Sequence, residues 1–267
     1  MSTCVRSKKR ELEQELLQNN GRRPFWSDKD YRRRVFVPVL GAQVVNNLAT
    51  TFEKRLDENL DKLCKGQEVE LPYEQDRRTS IRYLYDTVDG WYTQELVRKW
   101  LEIVYKNLGK PVQIKTVGKD ANFRFRFSKT TGKEISSDPD LKIEYYLDSK
   151  VYFQTYVEVQ WSASGRRFRY HMKQNKVNTL CKRKAGINKK NKKGVFLWFV
   201  PGQGVGYTFV VPCSFLLEKG RFIPRHKPFG GKPALEIEEK VIKEKGYGYF
   251  RLGRQVDPRF EKLLGPE

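Results

Sequence analysis

The sequence predicts an α/β protein: a mixed central β-sheet flanked by helices, with a helical N-terminal portion. Three patterns point there. Apolar residues recur at helical spacing as far as Leu108. From Phe123 onward the period changes to two, as strands require. A continuous apolar run at 195–200 then reads as a strand covered on both faces.

Taken in order, residues 1–38 read as a basic N-terminal arm with a short helix at 11–17 and a loop at Gly21, Arg22, Arg23 and Pro24. Residues 39–267 read as one domain. Val44, Leu48, Phe52, Leu56 and Leu60 recur every fourth position and Gly66 follows, which predicts a helix with one buried stripe and a glycine stop. A second helix is expected at 90–108, with Leu96, Trp100, Ile103, Val104 and Leu108 on one face, ending at Gly109, Lys110 and Pro111. Phe123, Phe125 and Phe127 alternate with Arg124 and Arg126, as in a half-buried strand. Strands follow at 141–147 and 151–161, joined by Asp148, Ser149 and Lys150. After the run at 195–200, a glycine-rich turn leads to a strand at 207–211. The remaining C-terminal part mixes a charged segment with an aromatic one and matches no single period.

Composition limits the function. The 267 residues carry 53 Lys plus Arg against 32 Asp plus Glu, a formal charge of +21. Thirteen per cent of the residues are aromatic, too many rings for a disordered basic tail. No apolar stretch approaches the ~20 residues that span a bilayer. The N-terminus has no apolar segment after its charges, so no secretion signal is expected. The four cysteines lie far apart with no C-x-x-C pair and read as reduced, as in a cytoplasmic protein.

Such a surplus narrows the partners to polyanions. Residues 166–193 hold twelve Lys/Arg and no acid in 28 positions. A scattered surplus would suit a solvated surface, but an unbroken block repels itself and makes sense where phosphates offset it. Arg166, Arg167, Arg169, Lys173, Lys176, Lys182, Arg183 and Lys184 are therefore expected to contact nucleic acid. No basic amphipathic helix stands out in the block, which disfavours a membrane surface.

The expected hairpin carries the chemistry. Apolar residues occupy odd positions in both strands, so odd must pair with odd for the two apolar faces to coincide. Leu147 opposite Val151 sets a register that puts Asp140 opposite Glu158, with Gln160 on the same face. Two facing carboxylates repel unless a cation sits between them. Hard oxygen ligands with positions open to water and phosphate describe a Mg²⁺ site of a phosphodiester-cleaving enzyme. The bland alternative is a solvated sheet face whose acids do nothing.

Pro139 and Asp140 heading one strand, and Val157, Glu158, Val159 and Gln160 ending the next, resemble the core of the PD-(D/E)xK nuclease superfamily. The expected element order over residues 90–200 is similar to that family's restriction-endonuclease-like αβββαβ core. The resemblance implies that Asp140 and Glu158 bind Mg²⁺, that the Val159 carbonyl can add a ligand, and that cleavage leaves a 5′-phosphate. It puts Gln160 where the family usually has lysine, the residue that helps orient or activate the attacking water. It also implies that an acid of the preceding helix, Glu95 or Glu102, sometimes joins the site. Within the family the chain looks most like a type II restriction endonuclease, a homodimer acting on double-stranded DNA.

Two other readings stay open: a homing, repair or junction-resolving nuclease of the same core, and a protein that binds DNA or RNA without cutting. Gly202, Gly204 and Gly206 lack the helix and the Gly-Lys-Ser/Thr of a phosphate loop and read as a turn between strands. His171 and His226 are too few for a histidine-based metal motif, and their spacing from Cys181 and Cys213 matches no common zinc pattern.

Overall fold

A computed structural model describes residues 2–21, 23–28, 30–69, 71, 78–117, 139–161, 169–181, 191–201, 206–226, 231–248 and 250–266. The chain is a mixed α/β protein. It divides into two compact units, one of residues 1–96 with 122–135 and one of residues 97–121 with 136–267.

The first unit is helical. Helix α1 (Thr3–Asn20) starts at a Ser2 cap and ends at Gly21 in the left-handed region. It is far longer than the expected 11–17, because Val5, Leu12 and Leu16 bury along one side. Helices α2 (Tyr31–Leu40) and α3 (Ala42–Cys64) follow. The buried stripe of α3 is Val45, Ala49, Phe52, Leu56 and Leu60, one residue round from the expected start at Val44, which is exposed. Helix α4 (Ser80–Asn107) starts well before the expected Gly90 and carries that glycine within it. Leu84, Tyr85, Val88, Trp91 and Tyr92 are buried there, and that burial outweighs the glycine's weak helix propensity of about 1 kcal/mol. Arg32 is buried against Asp30, Asp89 and Thr93, so its charge is fully partnered.

The cysteine expectation is corrected here. Cys4 and Cys64 form a disulfide between α1 and α3, with Cα atoms 6.1 Å apart across a sequence separation of 60. Linear spacing gives no hint of it, since helix packing alone brings the start of α1 to the end of α3. Cys181 and Cys213 are buried and form no disulfide.

The second unit holds a six-stranded sheet in the order β1-β2-β3-β5-β6-β9, made of β1 (Val112–Thr116), β2 (Leu141–Leu147), β3 (Lys150–Trp161), β5 (Lys192–Pro201), β6 (Gly206–Pro212) and β9 (Phe250–Arg251). All neighbours are antiparallel except β3 and β5, which run parallel. A parallel pair needs a crossover. Here it passes through β4 (Arg169–Lys173) and helix α5 (Gln174–Cys181). The strand next to β2 is β1, which sequence periodicity does not reveal; the expected strand at 122–127 lies outside the described residues, as does the turn at 202–205. Beyond β6 the chain forms α6 (Cys213–Lys219), β7 (Arg221–His226), β8 (Lys232–Glu238), α7 (Glu239–Glu244), β9 and α8 (Pro258–Leu264). Strands β4, β8 and β7 make a second, antiparallel sheet in that order.

Alternate residues assign the two faces of the large sheet. On one, Tyr105 of α4 hydrogen-bonds Tyr145 at 2.5 Å, Trp100 packs on Phe199 and Phe260, and the Thr155 hydroxyl donates to the Leu264 carbonyl. On the other, Phe196, Trp198, Phe209 and Val211 bury under α5, α6 and the inner face of the second sheet. Gly194 lets α5 come close: a Cβ there would fall 2.7 Å from Leu180 Cγ and 2.8 Å from its carbonyl oxygen.

The hairpin register agrees with the expected one from Leu141↔Val157 through Tyr145↔Phe153. Its turn does not. Asp148 and Ser149 form a two-residue turn, both at positive φ (47° and 63°), and Leu147 pairs with Lys150. A register shift at Tyr145/Tyr146 leaves Tyr152 over and absorbs the difference, so the odd-with-odd pairing survives beyond it.

Candidate active site

Asp140 precedes β2, immediately after the buried Pro139, and Glu158 lies near the end of β3. The hairpin brings them together. Asp140 Oδ2 accepts a hydrogen bond from the Val159 N–H at 2.8 Å, and the Asp140 carbonyl accepts from Val117 N at 3.1 Å. Asp140 is half-buried; Glu158 is 4% exposed. Glu158 stands on the face that carries Phe196, its register partner in β5. Gln160, two residues on, donates from Nε2 to Glu158 Oε1 at 3.4 Å.

Sequence reasoning misses one partner. Lys176, in the first turn of α5, places its ammonium 3.1 Å from Glu158 Oε1 and 3.2 Å from Oε2. The sequence put Lys176 among the cations expected to contact phosphate. It reaches Glu158 from a later element because Gly194 lets α5 settle on β5. The only sequence signal is helical spacing: Lys176 and Leu180, one turn apart, share the face that meets the sheet.

Burial, and then repulsion from Asp140, push the Glu158 carboxyl up to about 8, against the pull of Lys176 and Lys173. Below that pH it holds a proton when no other cation is present. A buried carboxyl facing a second carboxylate is a place where added positive charge is stabilised. Two carboxylates and a backbone carbonyl offer hard oxygen donors of the kind Mg²⁺ takes, with its remaining positions filled by water. Among the described residues no three His, Cys, Asp or Glu side chains converge on one metal-sized point. Glu102 is held by Arg98 and Lys99 on its own helix, and Glu95 belongs to the first unit.

The same sheet face continues away from the site as Lys142, Glu144, Tyr146, Gln154 and Tyr156. Lys115 and Lys142 both reach Glu144, at 2.5 and 2.6 Å. Burial opposes ionisation of Glu144, but these two ammonium groups prevail and hold it down to about 2.

Of the residues expected to meet nucleic acid, Arg169 is exposed and paired with Glu238 at 3.2 Å, and the charge of Lys173 acts on Glu158. Arg166, Arg167, Lys182, Arg183 and Lys184 lie outside the described residues. His171 and His226 lie ring beside ring, centres 4.3 Å apart and tilted by 36°, and His171 Nε2 meets Glu236 at 2.7 Å. No helix among the described residues is long and apolar enough to cross a membrane. Neither a protein-family model nor a curated protein sequence matches the chain.

Proposed function

We propose that the protein is a Mg²⁺-dependent nuclease that hydrolyses phosphodiester bonds of DNA at Asp140 and Glu158. The observation that carries this reading is the buried Glu158 set beside Asp140 with an ammonium group on it. This arrangement answers a cation and a phosphate better than it answers solvent. Apart from β4, which joins the second sheet, the order α4, β1, β2, β3, α5, β5, with β5 parallel to β3, further supports the likeness to the PD-(D/E)xK core.

Asp140, Glu158 and the Val159 carbonyl would hold the ion. When bound, it would supply Lewis-acid stabilisation of charge on the phosphate and the leaving oxygen. The chain's own groups do the rest. The Val159 N–H fixes the orientation of the Asp140 carboxylate beside Glu158. Lys176 provides the amino group that Gln160 lacks in sequence, placed beside Glu158 where it orients the attacking water. Water adds in line at phosphorus, the bond to the 3′ oxygen breaks, and the water's proton leaves as the leaving oxygen gains one. The products are a 5′-phosphate and a 3′-hydroxyl. Sequence-specific cleavage by a homodimer, as in a type II restriction enzyme, is the finer form of the proposal.

Incubation with plasmid DNA and Mg²⁺ tests it. Discrete fragments support restriction and a smear supports non-specific cleavage. A mobility shift without cuts at any pH from 6 to 9 refutes the nuclease reading and leaves a binding protein.

A further inference from the structure

A second acid-free stretch follows the first, separated from it only by Glu218. Residues 219–235 carry Lys219, Arg221, Arg225, Lys227 and Lys232 and no Asp or Glu. It spans β7 and the start of β8, an antiparallel pair on the edge of the smaller sheet. The acids come only toward the other end of β8, Glu236 opposite both Arg221 of β7 and His171 of β4, and Glu238 opposite Arg169 of β4. Glu236 is buried there, with Arg221 at 2.6 Å and His171 at 2.7 Å, and Glu238 takes Arg169. Toward Arg225 and Lys232 the acids stop. Arg225 and Lys232 are both exposed on that part of the ribbon, and the register shifts between Ile223 and His226.

The register says where this cationic end lies. Lys173, the last residue of β4, pairs with Ala234, which pairs with Ile223. Lys232 and His226 form the next same-face rung, about 7 Å farther along the strands. The ribbon therefore runs on past the end of β4. That end is where the chain turns into α5, where Lys173 acts on Glu158 and Lys176 meets it.

Charges, prolines and irregular pairing on an edge strand also keep it from pairing with other chains, and Pro224 and Pro233 fit that role. Protection of an edge, however, needs charge of either sign. Here the sign is uniform from Lys219 to Leu235, and it matches that of a site proposed to bind phosphate. A two-stranded ribbon is also one of the elements that a DNA major groove admits.

We propose that the β7–β8 ribbon is a duplex-DNA contact, with Arg225 and Lys232 on phosphates flanking the bond presented to Asp140 and Glu158. The position of that bond rests on the nuclease reading above; the contact itself does not.

The test measures binding of a duplex oligonucleotide by the full chain in EDTA, from 50 to 300 mM salt. The charge-reversed R225E/K232E keeps a charged edge, and R225Q/K232Q makes it neutral. Loss of two phosphate contacts should weaken R225E/K232E roughly tenfold or more at 150 mM salt and flatten the plot of log K against log [salt] by about 2. R225Q/K232Q should show a smaller loss in the same direction. Circular dichroism and light scattering should match the parent for both. Should R225E/K232E misfold, R225Q/K232Q decides alone. Parental affinity and slope in the folded variants overturn the proposal. So does a neutral variant that only aggregates while the charge-reversed one binds normally, which is the signature of edge protection. The parent is scored separately for cutting the same duplex with Mg²⁺. A parent that binds through the ribbon but never cuts refutes the nuclease reading and leaves the contact standing.

Discussion

Glu144 and Glu158 share one face of the large sheet, yet their surroundings pull them in opposite directions. Glu158 ionises only near 8 in the folded chain, against an ordinary value of 4.5. The folded state thus keeps a proton that the unfolded state gives up, and stability contributed this way is lost as pH rises from about 4.5 to about 8. Metal-free thermal melts should fall across that window, and Glu158→Gln should flatten the fall; an unchanged slope in that variant would dismiss the assignment. Glu144 has the opposite sign. Held down by Lys115 and Lys142, it stabilises the fold above its ordinary pKa, and that contribution disappears as pH drops from 4.5 toward 2. Glu144→Gln should remove only this acid limb. For chemistry, Glu158→Ala should lower cleavage by orders of magnitude, while DNA affinity in EDTA holds or rises because a negative charge has left the site. Lys176→Met should reduce cleavage more than Gln160→Ala, since Lys176 carries the amino group that touches Glu158. A Gln160→Ala effect larger than that of Lys176→Met would reverse the roles given to them.

At the scale of elements, legibility follows period and length. The hairpin and the β5 run can be read because alternation and apolar continuity are local. The pairing that joins Asp140 to Glu158 follows from face matching alone, even though the sequence makes the turn between the strands one residue too long. Strand β1 escapes because a short strand with a single buried side chain, Ile114, leaves almost no pattern. The start of α4 escapes because Gly90 looks like a boundary, whereas burial decides. Lys176 stands out as a cation, but its role does not, since that depends on how α5 lies over β5. This placement gives the element-scale prediction. Gly194→Ala puts a methyl group into Leu180, so it should cost about 1–3 kcal/mol of stability by overpacking and lift α5 from the sheet. In the variant, cleavage should fall further than DNA affinity. Equal losses of both would mean that α5 serves binding only.

For the whole molecule, the charge of +21 is plain in the sequence and the disulfide is not. Composition reports partners because charge acts at range; it reports nothing about which helix ends meet. If about six phosphates are neutralised on binding, log K should fall against log [salt] with a slope near −5. A slope near zero in a filter-binding series would remove the electrostatic argument for nucleic acid altogether. The four cysteines suggest a reduced protein because spacing along the chain does not encode the 6.1 Å between the Cα atoms of Cys4 and Cys64.

The parallel pairing of β3 with β5 also sets an order of events in time. Asp140 and Glu158 meet through a hairpin with a two-residue turn, a local event on the microsecond scale. Lys176 arrives only after the chain has completed the crossover and docked β5, a closure over longer sequence that is intrinsically slower. A chain still being synthesised would then hold its two carboxylates together well before the ammonium group joins them. On the nuclease proposal, competence would be acquired only as this longer closure forms, and a chain made no further than the hairpin would be harmless to the nucleic acid around it.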